Sequence, residues 1–322
     1  MPPTNDDITA ARQMHQALVL HFIEGQTQAE IAKVLGLSHA TVNRLIKRGR
    51  ALGLVEIKVK SPIQHLVGVE AQLVAIGGIS RAVVAPAVSD NVETTLLDVG
   101  ALGANLLLES LVDGDRICIS GGKGVSAIVA GLTPSRRYDV EVVPATGLVQ
   151  GKHYTDVNHV ATMLADRLGG RSYQMHAPLF ADSPQEREMV MHMRSVADVF
   201  RRAREATIAI VGIGSILSDD SSYYDLHPSS SADRHAIEQS KATGELLAHL
   251  VDGDGQVADY APNRSLVALT LDELAAIPRT IGIASGPNKA WPVLAAMRGN
   301  YLDTLVTDEA TARKIIDLAE AA

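Results

Sequence analysis

The chain is 322 residues long, with 46% hydrophobic and only 3% aromatic content, and its formal net charge is −8. That is ample apolar material for a core of Ala, Val, Leu and Ile, which excludes a disordered chain, and the single cysteine excludes a disulfide framework. No apolar run reaches membrane-spanning length, and the first residues, MPPTNDDITA, lack a basic start with an apolar stretch behind it, so a cytoplasmic protein with no membrane partner is expected.

The first predicted element is a helix over Arg12 to Glu24, where Leu18, Val19, Phe22 and Ile23 recur at helical spacing and Gly25 ends the run. Next comes QAEIAKVLGLSHATVNRLIK, Gln28 to Lys47, which reads as two short helices crossing at a glycine turn. Ile31, Ala32 and Leu35 line one face, Gly36 permits the turn, and Val42, Leu45 and Ile46 line the inner face of the second helix. Ala32 is small where the helices cross, and Ser38 is placed to cap the second helix by accepting from its free N–H groups. Outward then face His39, Ala40, Asn43, Arg44 and Lys47.

Those residue types read a major groove: Asn pairs with an adenine edge, Arg with guanine, and Lys or the Thr41 hydroxyl with phosphate. An ordinary helical hairpin is the plainer alternative. Against it stands the charge, since residues 1–60 hold 8 Lys+Arg and 5 Asp+Glu while the remainder of the chain is strongly acidic. The expected contacts to double-stranded operator DNA are Gln28, Ser38, His39, Thr41, Asn43, Arg44 and Lys47.

Val55, Ile57 and Val59 then alternate with Glu56, Lys58 and Lys60, the pattern of a wing strand with one charged face, and Ser61-Pro62 breaks it. Ile63, Leu66, Val69, Leu73 and Ile76 form a helical stripe, suited equally to a twin helix in a second subunit or to the chain's own domain. The division expected is a helix-turn-helix head, winged-helix-like, over residues 1–60 and an effector-binding and oligomerisation body over 61–322.

The body alternates β-rich apolar runs with amphipathic helical runs, so the fold class is α/β with a mainly parallel sheet. Four candidate strands run into glycine-containing turns: Arg116 to Ser120 into Gly121-Gly122-Lys123-Gly124, Val140 to Ala145 into Thr146 to Lys152, Ala206 to Val211 into Gly212-Ile213-Gly214-Ser215, and Thr280 to Ala284 into Ser285 to Lys289. Parallel strands would bring all four turns to one edge, where such sheets bind ligands. Glycine turns that open a helix hold anions on unpaired N–H groups, and Lys123, Lys152 and Lys289 would add positive charge within an acidic domain.

Gly122-Lys123-Gly124-Val125-Ser126-Ala127 also fits the G-x-G-x-x-A dinucleotide fingerprint, but the next strand ends Val143-Pro144-Ala145, without the acidic residue a ribose would need. Lys123 is followed by Gly124 rather than Ser or Thr, so there is no Walker motif, and a small sugar phosphate is preferred to a nucleotide. Cys118 lies in an apolar run and reads as a buried, unreactive thiol. The histidines, His153, His159, His176 and His192 among them, show no metal-ligand spacing, so neither metal nor cofactor is expected. Ser218 to Ser231 reads as a surface loop or lid, or as a spacer.

Taken in order, TQAEIAKVLGLSHATVNRLIKRGRALGLVEI, VVPATG, NHVATMLADRLGG, HAPLF, ATIAIVGIGS and the long segment LDELAAIPRTIGIASGPNKAWPVLAAMRGNYLDTLVTDEATA resemble the SorC family, the SorC/DeoR type of bacterial sugar-responsive transcriptional regulators. The resemblance implies a body similar to sugar-phosphate isomerases and glucosamine-phosphate deaminases that binds a phosphorylated sugar or polyol without turning it over, in a homodimer or homotetramer. It implies that Gly121, Gly122, Lys123 and Gly124 cradle phosphate with Gly147 nearby, that Glu245 takes sugar hydroxyls and that Lys289 reaches the ligand. Gly124 stands where the family commonly has threonine, so Ser126 or Lys123 would supply the missing donor, and Gly212 and Gly214 complete the expected effector set. The function so implied is regulation of a carbohydrate or polyol catabolic operon. The rivals are a sugar-phosphate isomerase or deaminase, with Glu245 as base and Lys289 as electrophile, and a sugar-binding module whose head binds protein; no recognisable acid–base pair supports the enzyme.

Overall fold

The computed structural model describes residues 5–55, 64–89, 91–149, 154–217, 221, 223–224 and 231–321. The chain divides into two compact units, Met1–Pro62 and Ile63–Ala322.

The first unit is three helices, α1 (Asn5–Phe22), α2 (Gln28–Leu35) and α3 (His39–Ala51). Thr27 and Glu30 form a capping box at the start of α2, Gly36 ends it at φ +66°, and the Ser38 hydroxyl accepts the Thr41 N–H at 3.1 Å to start α3. Each such cap is worth about 1 kcal/mol. Ala17, Ile31, Val42 and Ile46 are buried at the centre, and Leu18 closes over Gly49, where an added Cβ would lie 2.6 Å from its Cδ1. Helix α1 starts well before the expected Arg12, and Ile23 is 79% exposed: the inward stripe runs through Ala17 and Leu18, so Ile23 falls past the helix end. The expected wing strand at 55–60 lies, apart from Val55, outside the described residues.

The second unit opens with α4 (Gln64–Gly77), whose Leu66, Val69 and Leu73 are buried in this unit's own core, which decides between the two partners left open for that stripe. There follow β1 (Arg81–Ala85), α5 (Val92–Ser110), β2 (Arg116–Ile119), α6 (Lys123–Gly131), β3 (Glu141–Pro144), α7 (Val157–Leu168), β4 (Arg171–Ser172), α8 (Pro184–His192), α9 (Arg194–Arg204) and β5 (Ile208–Ser215). After these come α10 (Ser231–Gln239), β6 (Ala242–Leu246), β7 (His249–Asp252), α11 (Leu271–Ala275), β8 (Thr280–Ile283), α12 (Ala290–Arg298), β9 (Thr304–Asp308) and α13 (Glu309–Glu320).

The strands form a sheet in the order β1-β9-β8-β5-β2-β3-β4, all neighbours parallel, with the antiparallel hairpin β6–β7 attached to the far end of β5. Alternation along the strands builds two cores. Ile117, Ile119, Ile208, Ile210, Ile283 and Val306 face α5, α6 and α7, while Cys118, Val143, Ala209, Val211 and Leu305 face α4, α9, α12 and α13. Both faces are covered, which is why these strands read as unbroken apolar runs. Burial pushes the Cys118 thiol up to about 12, an inert group as expected.

Candidate functional site

In the first unit, α3 presents His39, Arg44, Lys47 and Arg48 to solvent, with Thr41 and Asn43 half-buried. His39, Asn43 and Lys47 follow one another at i, i+4 spacing and form one stripe, with Arg44 beside it. Ser38 acts as the cap, and its hydroxyl also meets the Thr41 hydroxyl at 2.8 Å, so the pair shapes the start of α3. Gln28, half-buried, opens α2. Arg50 is turned over the Phe22 ring, 5.2 Å from its centroid, and so buttresses α1.

In the second unit, β3 and β4 add on one side of β2 while β5 and β8 lie on the other, so β2 and β5 flank a topological switch point at the strand C-terminal edge. The turns after β2, β3 and β8 meet there. The fourth expected glycine turn does not exist. Strand β5 continues through Gly212, paired with Ile283, and on to Ser215, with Ile213, Gly214 and Ser215 paired to β6. Of the two, Gly214 serves close approach: a Cβ there would stand 2.2 Å from the Glu245 Oε1, so Gly214 is the floor on which that carboxylate rests, whereas a Cβ on Gly212 would meet nothing nearer than 3.6 Å.

The glycine N–H groups are mostly spent on the protein itself. Gly122, at φ +126°, donates to the Tyr154 carbonyl at 2.7 Å, Gly147 to the Val267 carbonyl at 2.7 Å, and Gly212 to the Ser120 hydroxyl at 3.2 Å. Gly121 packs on the Thr155 carbonyl, and Lys123 lies with its Nζ 5.5 Å from the Tyr154 ring centre. Helix α6 nonetheless begins with no side-chain cap, so the first-turn N–H groups of Lys123, Gly124 and Val125 point out of the helix end. Among the described residues the Ser126 hydroxyl in that turn is buried without a hydrogen-bond partner, and so is that of Ser285 in the turn after β8. Gly124 faces Ile283, whose Cγ2 would be 3.1 Å from an added Cβ, so this chain has little room there for a threonine. Lys152 lies outside the described residues.

Glu245, on β6, accepts the Ala248 N–H at 3.1 Å across a two-residue turn in which Leu247 and Ala248 both have positive φ, +51° and +66°. Such a turn suits the twist of a hairpin but costs side-chain-bearing residues energy, and strain of this kind gathers at functional sites. Burial pushes the Glu245 carboxyl above its usual range, and the nearby Lys289 ammonium and the Ala248 N–H partly oppose that shift. The two residues that the resemblance paired with the ligand thus lie within reach of each other's charge. Lys289 is held by the turn after β8, where Gly286, at φ +106°, donates to Asp308 Oδ2 at 2.8 Å. Asp308 also caps α13 through the Thr311 N–H and hydroxyl at 2.9 and 2.7 Å, a positioning role signalled in the sequence only by the cap pattern Asp308-Glu309-Ala310-Thr311.

A raised carboxyl pKa means that, between the unfolded and folded values, the folded chain binds more protons than the unfolded one, so stability falls as pH rises through that window. Glu245→Gln keeps an acceptor for Ala248 and removes the charge. The ligand-free variant is expected to melt above the wild type at pH 7, with the difference fading towards about pH 4; an equal or lower melting temperature at pH 7 would contradict a carboxylate disfavoured by its surroundings. Among the described residues no group of three or more His, Cys, Asp or Glu side chains is arranged to hold a metal, and no helix is long and apolar enough to cross a membrane.

The family model "Putative sugar-binding domain" matches residues 61–317, and that of Sigma-70, region 4, matches residues 11–52. The chain is 28% identical over 316 residues to the erythritol catabolism regulatory protein EryD of Brucella abortus, covering 97% of each chain. It is 29% identical over 304 residues to the transcriptional regulator LsrR of Klebsiella pneumoniae, covering 93% of this chain and 91% of that one. Among solved structures, the full-length sorbitol operon regulator SorC of Klebsiella pneumoniae matches with a TM-score of 0.74 and 28% identity, covering 97% of this chain and 100% of that one. These relatives are named as regulators and not as enzymes. With a sugar-binding domain over most of its length, a helix-turn-helix in front and a full-length structural match to SorC, the chain belongs to the SorC family of sugar-responsive transcriptional regulators.

Proposed function

We propose that the protein is a cytoplasmic regulator of a sugar or polyol catabolic operon, acting as a homodimer or homotetramer, whose body binds a phosphorylated sugar or polyol. Residues 1–60 serve as the operator-binding head and 61–322 as the effector and oligomerisation domain. The observation that supports this reading most directly is the uncapped start of α6 at the switch point, with the Ser126 hydroxyl in its first turn and the half-buried Glu245 of β6 within reach of the charge of Lys289 in the turn after β8. An uncapped helix start stabilises a phosphate through its N–H groups and dipole, and Ser126 offers the hydroxyl that Gly124 lacks. Glu245 accepts from sugar hydroxyls while Lys289 balances its charge. The relatives named for erythritol and sorbitol point to polyol metabolism as the setting. The effector can change operator affinity only by binding the DNA-competent and DNA-incompetent arrangements unequally, with a coupling of about 1–3 kcal/mol.

A thermal-shift screen with phosphorylated sugars and polyols tests the site. A ligand at about 100 times its Kd stabilises the folded state by about 2.7 kcal/mol. Lys289→Ala is expected to abolish the shift given by any hit; a full-sized shift in that variant would place the effector elsewhere.

A further inference from the structure

Tyr223 has no solvent exposure and is the largest side chain so enclosed among the described residues, and Tyr260 is only 3% exposed. They pack in a small satellite core with Ile216, Ile237, Leu250 and Ala258. The two hydroxyls are buried next to each other and, among the described residues, neither has a hydrogen-bond partner other than its neighbouring phenol. Phenylalanine at both positions would fill the same space without burying two polar atoms in an apolar cluster, and one phenol–phenol contact offsets little of that cost, so the fold gains little from these oxygens. Polar groups kept against the interest of stability point to a ligand.

The cluster adjoins the effector site. Leu250 is the register partner of Glu245 on the neighbouring strand, and the Glu245 charge reaches the Tyr223 hydroxyl, adding to burial in pushing that phenol above its usual range. Two phenol hydroxyls, a carboxylate and the Lys289 ammonium therefore gather on the β6 side of the switch point, whereas the α6 helix start lies on the β2 side.

We infer that the Tyr223 and Tyr260 hydroxyls bind the end of the effector remote from its phosphate, reading a terminal hydroxyl of a polyol phosphate or open-chain sugar phosphate together with Glu245. This rests on the effector reading proposed above and makes the pair a specificity determinant: an analogue lacking that hydroxyl leaves the phenols unpaired and gains nothing from them.

The test is calorimetric titration of the full chain with sorbitol 6-phosphate and erythritol 4-phosphate and with the analogue of each that is deoxygenated at the carbon farthest from phosphate. Tyr223→Phe and Tyr260→Phe should each bind the better hydroxylated probe about tenfold more weakly than the wild type. Both should bind its deoxy analogue as the wild type does, and their ligand-free melting temperatures should be equal to or above that of the wild type. Unchanged affinity for the hydroxylated probe, an equal loss on both probes, or a lowered melting temperature would each overturn the inference. Binding that Lys289→Ala abolishes and the tyrosine variants leave intact would overturn this inference alone. Failure of the wild type to bind any of the four probes would overturn both it and the proposed polyol-phosphate effector.

Discussion

Gly147→Ala is expected to destabilise the body by about 3 kcal/mol or more, lowering its calorimetric melting temperature by roughly 6–12 °C. A Cβ at this position would lie 2.3 Å from the Pro178 carbonyl oxygen, 2.6 Å from its carbon and 2.7 Å from the Leu179 nitrogen, all backbone atoms that no rotamer change can move. Around it the Gly147 N–H donates to Val267, that of Leu148 to Ala177, that of Leu179 to Leu148 and that of Val267 to Leu179, at 2.7 to 2.8 Å, so three chain segments are laced through one point. Ala248, whose N–H steadies Glu245, packs on Leu179, Leu266 and Ala268 of the same lacing, and effector affinity should fall along with stability. Gly68→Ala is the contrast: Gly68 sits in α4 with nothing within 4 Å of an added Cβ, and there alanine should stabilise by up to about 1 kcal/mol. A Gly147→Ala protein that melts with the wild type would show that the close approach is not needed.

Arg44→Ala should cost about 1–3 kcal/mol on the specific operator, roughly ten- to a hundredfold, and far less on random DNA, because a guanidinium on the open face of α3 gains most when it meets a guanine edge. Lys47→Ala should weaken all sequences alike and reduce the slope of log affinity against log salt by about 1, the signature of one lost phosphate contact. The natural target is the region upstream of the protein's own gene, titrated at several salt concentrations. Equal losses for Arg44→Ala on operator and random duplex would remove its base-reading role, and the absence of wild-type binding at low salt would remove the DNA-binding assignment of the head.

The head was legible because its rules are local. Thr27, Ser38 and Gly36 act on residues within a turn of themselves, and the apolar spacing of Ile31, Val42 and Ile46 marks their inner faces directly. The parallel sheet was legible for a related reason, since runs such as Arg116–Ile119 and Ile208–Ser215 must be apolar on both faces once helices cover both sides. The misreading of Gly212 to Ser215 shows where locality fails. In sequence Gly-Ile-Gly-Ser looks like a turn, and it is a strand because β8 and β6, distant along the chain, supply the pairing partners and the Glu245 carboxylate needs the space that Gly214 leaves.

From the residues alone came the helix-turn-helix, the α/β class, three of the four turns at the strand ends and the membership that the ordered motifs implied. Tertiary structure decided which donors are left for a ligand: the N–H groups of Gly122, Gly147 and Gly212 are taken by partners far away in the chain, while the first turn of α6 and the Ser126 hydroxyl find none among the described residues. It also placed Glu245 against Lys289 and set Tyr223 beside Tyr260. The division follows from range, because caps and apolar periodicity are set within a few residues, whereas hydrogen-bond accounting and the burial of a charge depend on whichever segments the fold brings alongside.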